Sequence, residues 1–461
     1  MSYSVEAKSG LRELLKFRRD PLAYMAEAGR RSIDIRSFRF PGRRLFQVNH
    51  PDLIHDVLVT HDWNFVKGDG LHASKPVLGQ GLLTSEGELH RRQRRMVQPA
   101  FHSTRLVGYG ETMVACASEA ADEWHDGACI AIDQEMMRLT LRIVGKTLFS
   151  ADLKRNAAGV GASLTRALDL FLKLNHPLTR AVPPLRKRME GKGRQVRREI
   201  EAVLRRVIDE HRAHPETDDM LAMMMHAHDD SNTGYMSDEL LLDESLTLFL
   251  AGHETTANAL AWTWHLLGQH PRVEYRLRAE LDSVLQGNTP EPADMQKLVY
   301  TASVFREALR LYPPAWVIGR EAVTDYQLGN VPVPAGSTLL LSPYATQRDP
   351  RWWRRAEEFV PERWMEEDAD RPRFAFYPFG AGTRVCIGEH FAQMEGVLLL
   401  ATLAQRWKLH PVPGQHVDTW PQITLRPRNP ILMQLERRTG NPSTHAQADA
   451  GEMREPVVTL N

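Results

Sequence analysis

The chain has 461 residues, 42% hydrophobic and 25% charged, an ordinary globular composition. Lys+Arg and Asp+Glu both number 58, so the formal net charge is zero; nucleic-acid binders usually carry a basic excess, and long disordered chains a net charge. Only Cys116, Cys129 and Cys386 occur, with no CxxC spacing, which excludes a disulfide scaffold and fits a reducing, cytoplasmic setting.

Residues 1–30 hold no apolar run long enough for a signal peptide or membrane anchor and read as an N-terminal segment. Residues 33–49 alternate around Pro41-Gly42 and predict a β-hairpin. Asn49 and Asp52 flank Pro51 and open a short helix to about Thr60. Residues 65–87 are Gly-rich and aperiodic, hence loop. From Glu88 to about residue 285 the pattern is mainly helical. The basic segment 183–198 reads as a solvated loop and helix face, with an anionic partner as the alternative.

Ser237 with Asp238 and Glu239 starts a helix that His270-Pro271 stops. At about 1.5 Å per residue it is roughly 48 Å long. Its stretch from Leu246 to Leu267 nears membrane-spanning length, but His253, Glu254, Thr255, Thr256 and Asn258 would be costly in lipid. A buried helix of a soluble protein is expected. Residues 298–312 form another helix, stopped by Pro313-Pro314. Short strands follow at Tyr326–Leu328, Val331–Val333 and Thr338–Leu341, and a last helix runs from Gly388 to about Trp407. The tail from Arg437 is polar and expected to be mobile. The domain expectation is one unit over 31–436, with 437–461 as tail.

The strongest chemical signal is residues 379–388, Phe-Gly-Ala-Gly-Thr-Arg-Val-Cys-Ile-Gly. Cys386 sits two residues before a helix-starting Gly, where backbone N–H groups and the helix end favour a thiolate. Gly380, Gly382 and Gly388 let backbone approach a flat ligand, and Arg384 offers a cation for its acidic group. A thiolate against a flat macrocycle pushes electron density into haem iron. Cys116 and Cys129 read as inert packing. A nucleotide-binding GxGxxG is excluded, because it needs Gly at Val385.

This string resembles the haem-binding signature FxxGxRxCxG of the cytochrome P450 family, matched at Phe379, Gly382, Arg384, Cys386 and Gly388. The resemblance covers residues 33 to about 435. It implies a mainly α fold with small β-sheets (α+β), in which a long central helix crosses a haem buried between it and the Cys-loop helix. It makes Cys386 the axial ligand of haem b, with Phe379, Gly380 and Ala251 in contact with the haem.

Ala251-Gly252-His253-Glu254-Thr255-Thr256 lies in the middle of the long helix. An acid and alcohols in an apolar helix need a reason, since unpaired burial costs several kcal/mol. A zinc HExxH site fails, because the second His falls at Ala257. Gly252 thins the helix and can open a pocket or a kink. A hydroxyl bonded back to its own helix is the structural reading of Thr255. The segment looks like the family's AGxET element, which implies Thr255 as the proton-relay hydroxyl for dioxygen cleavage and Glu254 as the acid feeding it. Thr256 is expected to pack.

Glu307 and Arg310 share a helix face. With Pro361-Glu362-Arg363-Trp364 they look like the family's ExxR and PERF elements. This implies a buried structural triad of Glu307, Arg310 and Arg363 that holds the Cys386 loop. Trp364 replaces the usual Phe, and no functional change is expected. His90 and Arg94 lie four apart on one helix face. The family resemblance makes them propionate contacts, with Arg320 a third. Arg91, Arg92 and Arg95 read either as an acidic-donor docking face or as a solvated face.

The segments that line the family's pocket are apolar here, including Leu82, Leu83, Phe171, Leu172, Phe249, Trp316 and Ile318, with Lys67, His72 and Lys75 nearby. The expectation is a monomeric, cytoplasmic haem-thiolate monooxygenase acting with O2 on an apolar fatty acid, terpene or steroid. Electrons would come from a separate donor, a ferredoxin with its reductase. No nucleic-acid partner and no membrane anchor are expected. The alternatives are a peroxide-driven peroxygenase or haem-thiolate isomerase, which the retained Glu254-Thr255 disfavours, and a non-catalytic haem sensor or carrier.

Overall fold

The structure is a computed structural model. It describes residues 2–438 except 10, 41–42, 73, most of 151–181, 215–216, 218, 230–233 and 367. Phe171 and Leu172 lie outside the described residues, as does the tail from 439.

The helix Asp238–Gln269 forms the axis of the molecule. Ser237 caps it by accepting from the Leu240 N–H, and Asp238 and Glu239 fill its first turn. Its residues are buried on every side over most of its length, as an all-round apolar helix requires. It packs on Ile132–Phe149 and, nearer the Cys386 loop, on Glu389–Arg406. Gly252 belongs to the first contact: a Cβ there would stand 3.0 Å from Val144. The kink expected at this glycine is absent. Gly252 allows close helix packing inside an uninterrupted helix.

The main sheet has six strands in the order Val5–Ser9, Ile35–Phe40, Arg43–Val48, Thr338–Leu341, Ile318–Ala322, Phe65–Lys67. The expected hairpin pairs Ile35 with Val48. Two corrections follow from long-range pairing. Residues 65–87 are not all loop: Phe65–Lys67 pairs antiparallel with Ile318–Ala322, and helical turns follow at Asp69–His72 and Lys75–Leu78. The N-terminal segment is also part of the sheet, because Val5–Ser9 pairs in parallel with Ile35–Phe40. Buried Arg36 ties it down, donating to Glu6 at 2.7 Å and to the Tyr24 carbonyl at 2.9 Å.

The basic segment 183–198 is helix throughout, the first half of Pro183–Ala213. Val196, Ile200, Leu204 and Val207 form its buried stripe, which leaves the basic residues outside. The strand Cys129–Ala131, which lacks an alternating pattern, joins Leu432–Arg437 and Trp407–Pro411 in a second sheet. Order extends past the expected limit at 436: Arg438 binds Asp282 at 2.8 Å. Among the described residues, no helix is long and apolar enough to cross a membrane.

Candidate active site

The Cys386 loop is built by glycine. Gly380 and Gly382 have φ of 70° and 68°, values that suit glycine. A Cβ on Gly382 would collide with the Leu58 carbonyl oxygen at 1.8 Å. The turn closes with Gly380 N–H donating to Tyr377 O at 3.0 Å and Cys386 N–H to Phe379 O at 2.9 Å. Arg94 Nη1 donates to the Val385 carbonyl at 2.7 Å, linking its helix to the loop. The Cys386 side chain is surrounded by protein yet exposed, which places it on the wall of a cleft. Burial pushes its thiol up to about 11, while the Gly388 N–H and Arg94 pull the other way. The Gly388 N–H and Arg94 act in the direction expected from the sequence, against that burial.

Five basic side chains gather beside this loop. Arg320, buried in strand Ile318–Ala322, lies directly opposite Lys67 across the antiparallel ladder. Like charges directly opposite are destabilising. Burial, then Arg384 and Arg320, push Lys67 down to about 7. Burial, then Arg384, push Arg320 down to about 10. Burial, Arg384, Lys67 and Arg94 hold His90 near 3, so its imidazole is neutral. Arg384 pairs with Glu86 and donates to Ser85 O at 2.8 Å; Lys67 N–H also binds Glu86, at 2.7 Å. Glu86 is the acid in direct contact with this cluster, with Asp62 acting on Arg320 and Arg384 from further off. Lys67 and Glu86 were not assigned from sequence. Their partners lie too far along the chain for spacing to show them. Lys67 is no free substrate anchor, since its Nζ donates to Leu83 O at 2.6 Å and Leu82 O at 3.2 Å. Arg91 and Arg95 are exposed and pair with Glu88.

On the central helix, Ala251 is exposed although Leu250 and His253 beside it are buried. Thr255, one turn on, is half-buried, and its Oγ1 donates to Ala251 O at 2.8 Å. This strip lines an internal opening. Thr255 has the helix-bonded geometry, and its lone pairs stay available as acceptors. Thr256 is buried, as expected of packing. Glu254 is buried and does not meet Thr255. Its Oε1 accepts from Thr424 Oγ1 at 2.5 Å and Arg426 Nε at 2.8 Å, and the Arg426 Nη2 atom completes the ion pair at 2.6 Å. Neither Thr424 nor Arg426 was assigned a role from sequence.

The buried triad forms, with more partners than expected. Arg310 donates to both Glu307 oxygens at 2.9 and 2.8 Å, and Arg363 to Oε1 at 3.0 Å. Val360 N–H and Trp364 Nε1 add bonds at 3.0 and 2.8 Å. Arg310 also donates to the carbonyls of Gln347, Ala356 and Glu358. Gln347 Oε1 accepts from Tyr377 N–H at 3.2 Å, and the Tyr377 carbonyl closes the Gly380 turn. A continuous chain of bonds therefore connects the triad to the Cys386 loop.

Fold and site together define a helical protein built around a cysteine loop and an anion-seeking cluster. The chain matches the family described as Cytochrome P450 over residues 11–435, and it belongs to that family. It is 38% identical to cyclooctatin synthase of Streptomyces melanosporofaciens, over 91% of this chain and 92% of that protein. It is 33% identical to pentalenene oxygenase of Streptomyces avermitilis, over 91% and 94%. A crystal structure of a cytochrome P450 (CYP102L1) superposes with a TM-score of 0.82 at 26% identity, covering 95% of this chain and 100% of that one. The protein is thus a P450 monooxygenase, and its family carries a thiolate-ligated haem and uses O2 with a redox partner. The residues here fit such a group: an exposed cysteine, basic side chains gathered beside its loop, and an exposed alanine inside a buried helix.

Proposed function

We propose that this monooxygenase hydroxylates a cyclic, terpene-type hydrocarbon, with haem b held by Cys386. The supporting observation is the cleft-facing Cys386 sulfur, coupled through Arg94 to a cluster of basic side chains. Arg384, Arg94 and Arg320 would bind the two propionates, and neutral His90 would donate a hydrogen bond. Phe379, Gly380 and Ala251 would touch the macrocycle. When bound, the haem supplies the oxygen-activating and electron-accepting chemistry.

The chain's own residues do the rest. Thr255 holds a hydroxyl at the internal opening, where it accepts a proton on Oγ1 and passes one on. Glu254 is the acid that feeds it. Glu307, Arg310 and Arg363 hold the Cys386 loop rigid. Leu82, Phe249 and Trp316 offer an apolar surface without a free charge. Relatives named for pentalenene and cyclooctat-9-en-7-ol make a cyclic terpene the favoured class over fatty acids or steroids. A separate ferredoxin with its reductase would supply electrons.

The test is a spectral titration of the ferric protein with cyclic terpenes, fatty acids and steroids. A shift to high spin with cyclic terpenes alone supports the substrate class. A shift with fatty acids or steroids only overturns it. A protein without a thiolate-type spectrum of its reduced carbonyl complex overturns the whole reading.

A further inference from the structure

The N-terminal helices Leu11–Arg19 and Pro21–Arg30 lie against one face of the six-stranded sheet. Between helices and sheet is a cavity of about 80 Å³ that is not sealed from solvent. Three neighbouring strands make its floor. Leu45 and Gln47 stand two apart on Arg43–Val48 and so share a face. Leu45 lies opposite Phe38, and Gln47 beside Leu340. Phe17 and Met25 close the space from the helices. Phe46 and Val48, which alternate with this pair, serve the core on the other face. Gln47 is the exception in this apolar surround, a polar residue only 1% exposed.

The orientation of the Gln47 amide is set by its neighbours. Its Nε2 donates to Met25 O at 2.8 Å and to Asn49 Oδ1 at 2.9 Å. Asn49 Nδ2 donates in turn to Ile33 O at 3.0 Å, so Asn49 Oδ1 is an acceptor. Two acceptors on one side of the amide leave Gln47 Oε1 on the other. That oxygen is buried and has no partner among the described residues. A buried acceptor without a donor costs free energy. The wall has no donor to spare: the Tyr24 hydroxyl is spent on Glu13 at 2.7 Å, and the remaining lining side chains are hydrocarbon or thioether.

The same inventory defines what fits. Among the described residues, none of the lining side chains is cationic, and a carboxylate would meet the Glu13 carboxylate as well as the Gln47 oxygen. A neutral hydroxyl would give its proton to Oε1, with the attached hydrocarbon against Phe17, Phe38 and Leu340. Cys386, Glu254 and Thr255 do not line this cavity. Met25 and Leu340 do belong to the apolar cluster of Trp316 and Leu425, and Trp262 of the central helix donates to Leu425 O at 3.0 Å. An occupant therefore abuts packing that continues to the central helix.

We propose that this cavity is a second binding site, for a neutral apolar molecule that carries a hydroxyl, and that Gln47 Oε1 is the acceptor that selects it. Its volume is about half that of a cavity of roughly 150 Å³ that takes up benzene, so it holds the hydroxyl-bearing end of such a molecule, a unit of about five carbons. A hydroxylated hydrocarbon is what a monooxygenase releases, so the enzyme's own product belongs to this class. The inference does not depend on the terpene reading, because hydroxylation of any apolar substrate gives such a molecule.

The experiment uses the holoenzyme with isotope-labelled methionine methyl groups, held as its diamagnetic reduced carbonyl complex. It follows the Met25 methyl resonance, identified by its loss in Met25→Leu. The probes are isoamyl alcohol, its methyl ether and isovalerate. The alcohol should shift the resonance saturably, and the ether and the carboxylate should bind at least about tenfold more weakly, the worth of one hydrogen bond. In Gln47→Leu the alcohol should lose its advantage over the ether. Leu45→Trp, which fills the cavity from the sheet, should abolish the alcohol's shift. No saturable shift with the alcohol overturns the proposal and leaves the cavity to water. Equal binding of alcohol and ether by the parent overturns it too, as does an alcohol preference that survives Gln47→Leu. A shift that Leu45→Trp leaves intact places the alcohol elsewhere and has the same consequence. If one of these variants does not fold, the other decides, together with the alcohol-to-ether ratio of the parent.

Discussion

Trp364 donates its indole N–H to Glu307 at 2.8 Å, a bond that phenylalanine cannot make. The motif reading treated the two aromatics as equivalent, because a pattern records ring character and not what the ring reaches. Trp364→Phe should cost about 1–2 kcal/mol, since Glu307 keeps its other donors. Chemical denaturation should show the loss, with the carbonyl spectrum and turnover unchanged. Cys386→Ser should fold but lose the thiolate-type spectrum of the reduced carbonyl complex; an unchanged spectrum would refute the ligand assignment. Glu395 is fully buried; burial pushes it up to about 8, against the opposing pull of the Thr256 side chain. Its folded value exceeds the ordinary 4.5, so the folded state holds the extra proton between those values. This contribution to stability is complete below about pH 4.5 and is lost as pH rises toward 8. Glu395→Gln should flatten that decline, gaining roughly 1–3 kcal/mol at pH 8 relative to pH 5. Denaturant midpoints at the two pH values check it; parallel profiles for parent and variant would refute it.

At the scale of elements, helices with strong local signals were legible. Asp238–Gln269 begins after a Ser cap and ends before His270-Pro271, both visible in the sequence. Strand Phe65–Lys67 was not legible, because its only support is a ladder to Ile318–Ala322. Site residues divide the same way. Cys386, Arg384, Glu307 and Arg310 lie in contiguous strings. Lys67, Thr424 and Arg426 gain meaning only through partners on other elements. The triad is an element-level device, joining Val299–Leu311, Pro361–Trp364 and the Gln347–Tyr377 bond. Glu307→Gln removes the anion between buried Arg310 and partly buried Arg363 and should cost about 3–5 kcal/mol. The expected outcome is a sharp fall in soluble, haem-loaded protein, read as the ratio of haem to protein absorbance.

For the whole molecule, the six-stranded sheet draws on three separated regions of sequence, including its first residues. Deleting residues 2–9 removes the Val5–Ser9 strand and leaves Arg36 buried without Glu6. We expect a loss of about 2–4 kcal/mol, measured as a lower unfolding midpoint. An unchanged midpoint would mean that the strand adds nothing to the stability of the sheet.

The amino-acid sequence by itself determined the family and the helical class, and it singled out the Cys386 string and the Glu254-Thr255 pair as candidates. Each of these rests on neighbouring residues, where spacing along the chain is also spacing in space. Only the tertiary structure decided which charges meet. It set Lys67 opposite Arg320, turned Arg384 to Glu86 and placed Glu254 on Arg426 rather than on Thr255. Buried charges are satisfied by whatever the fold brings within about 3 Å. That distance is fixed by packing and register, which no local pattern encodes.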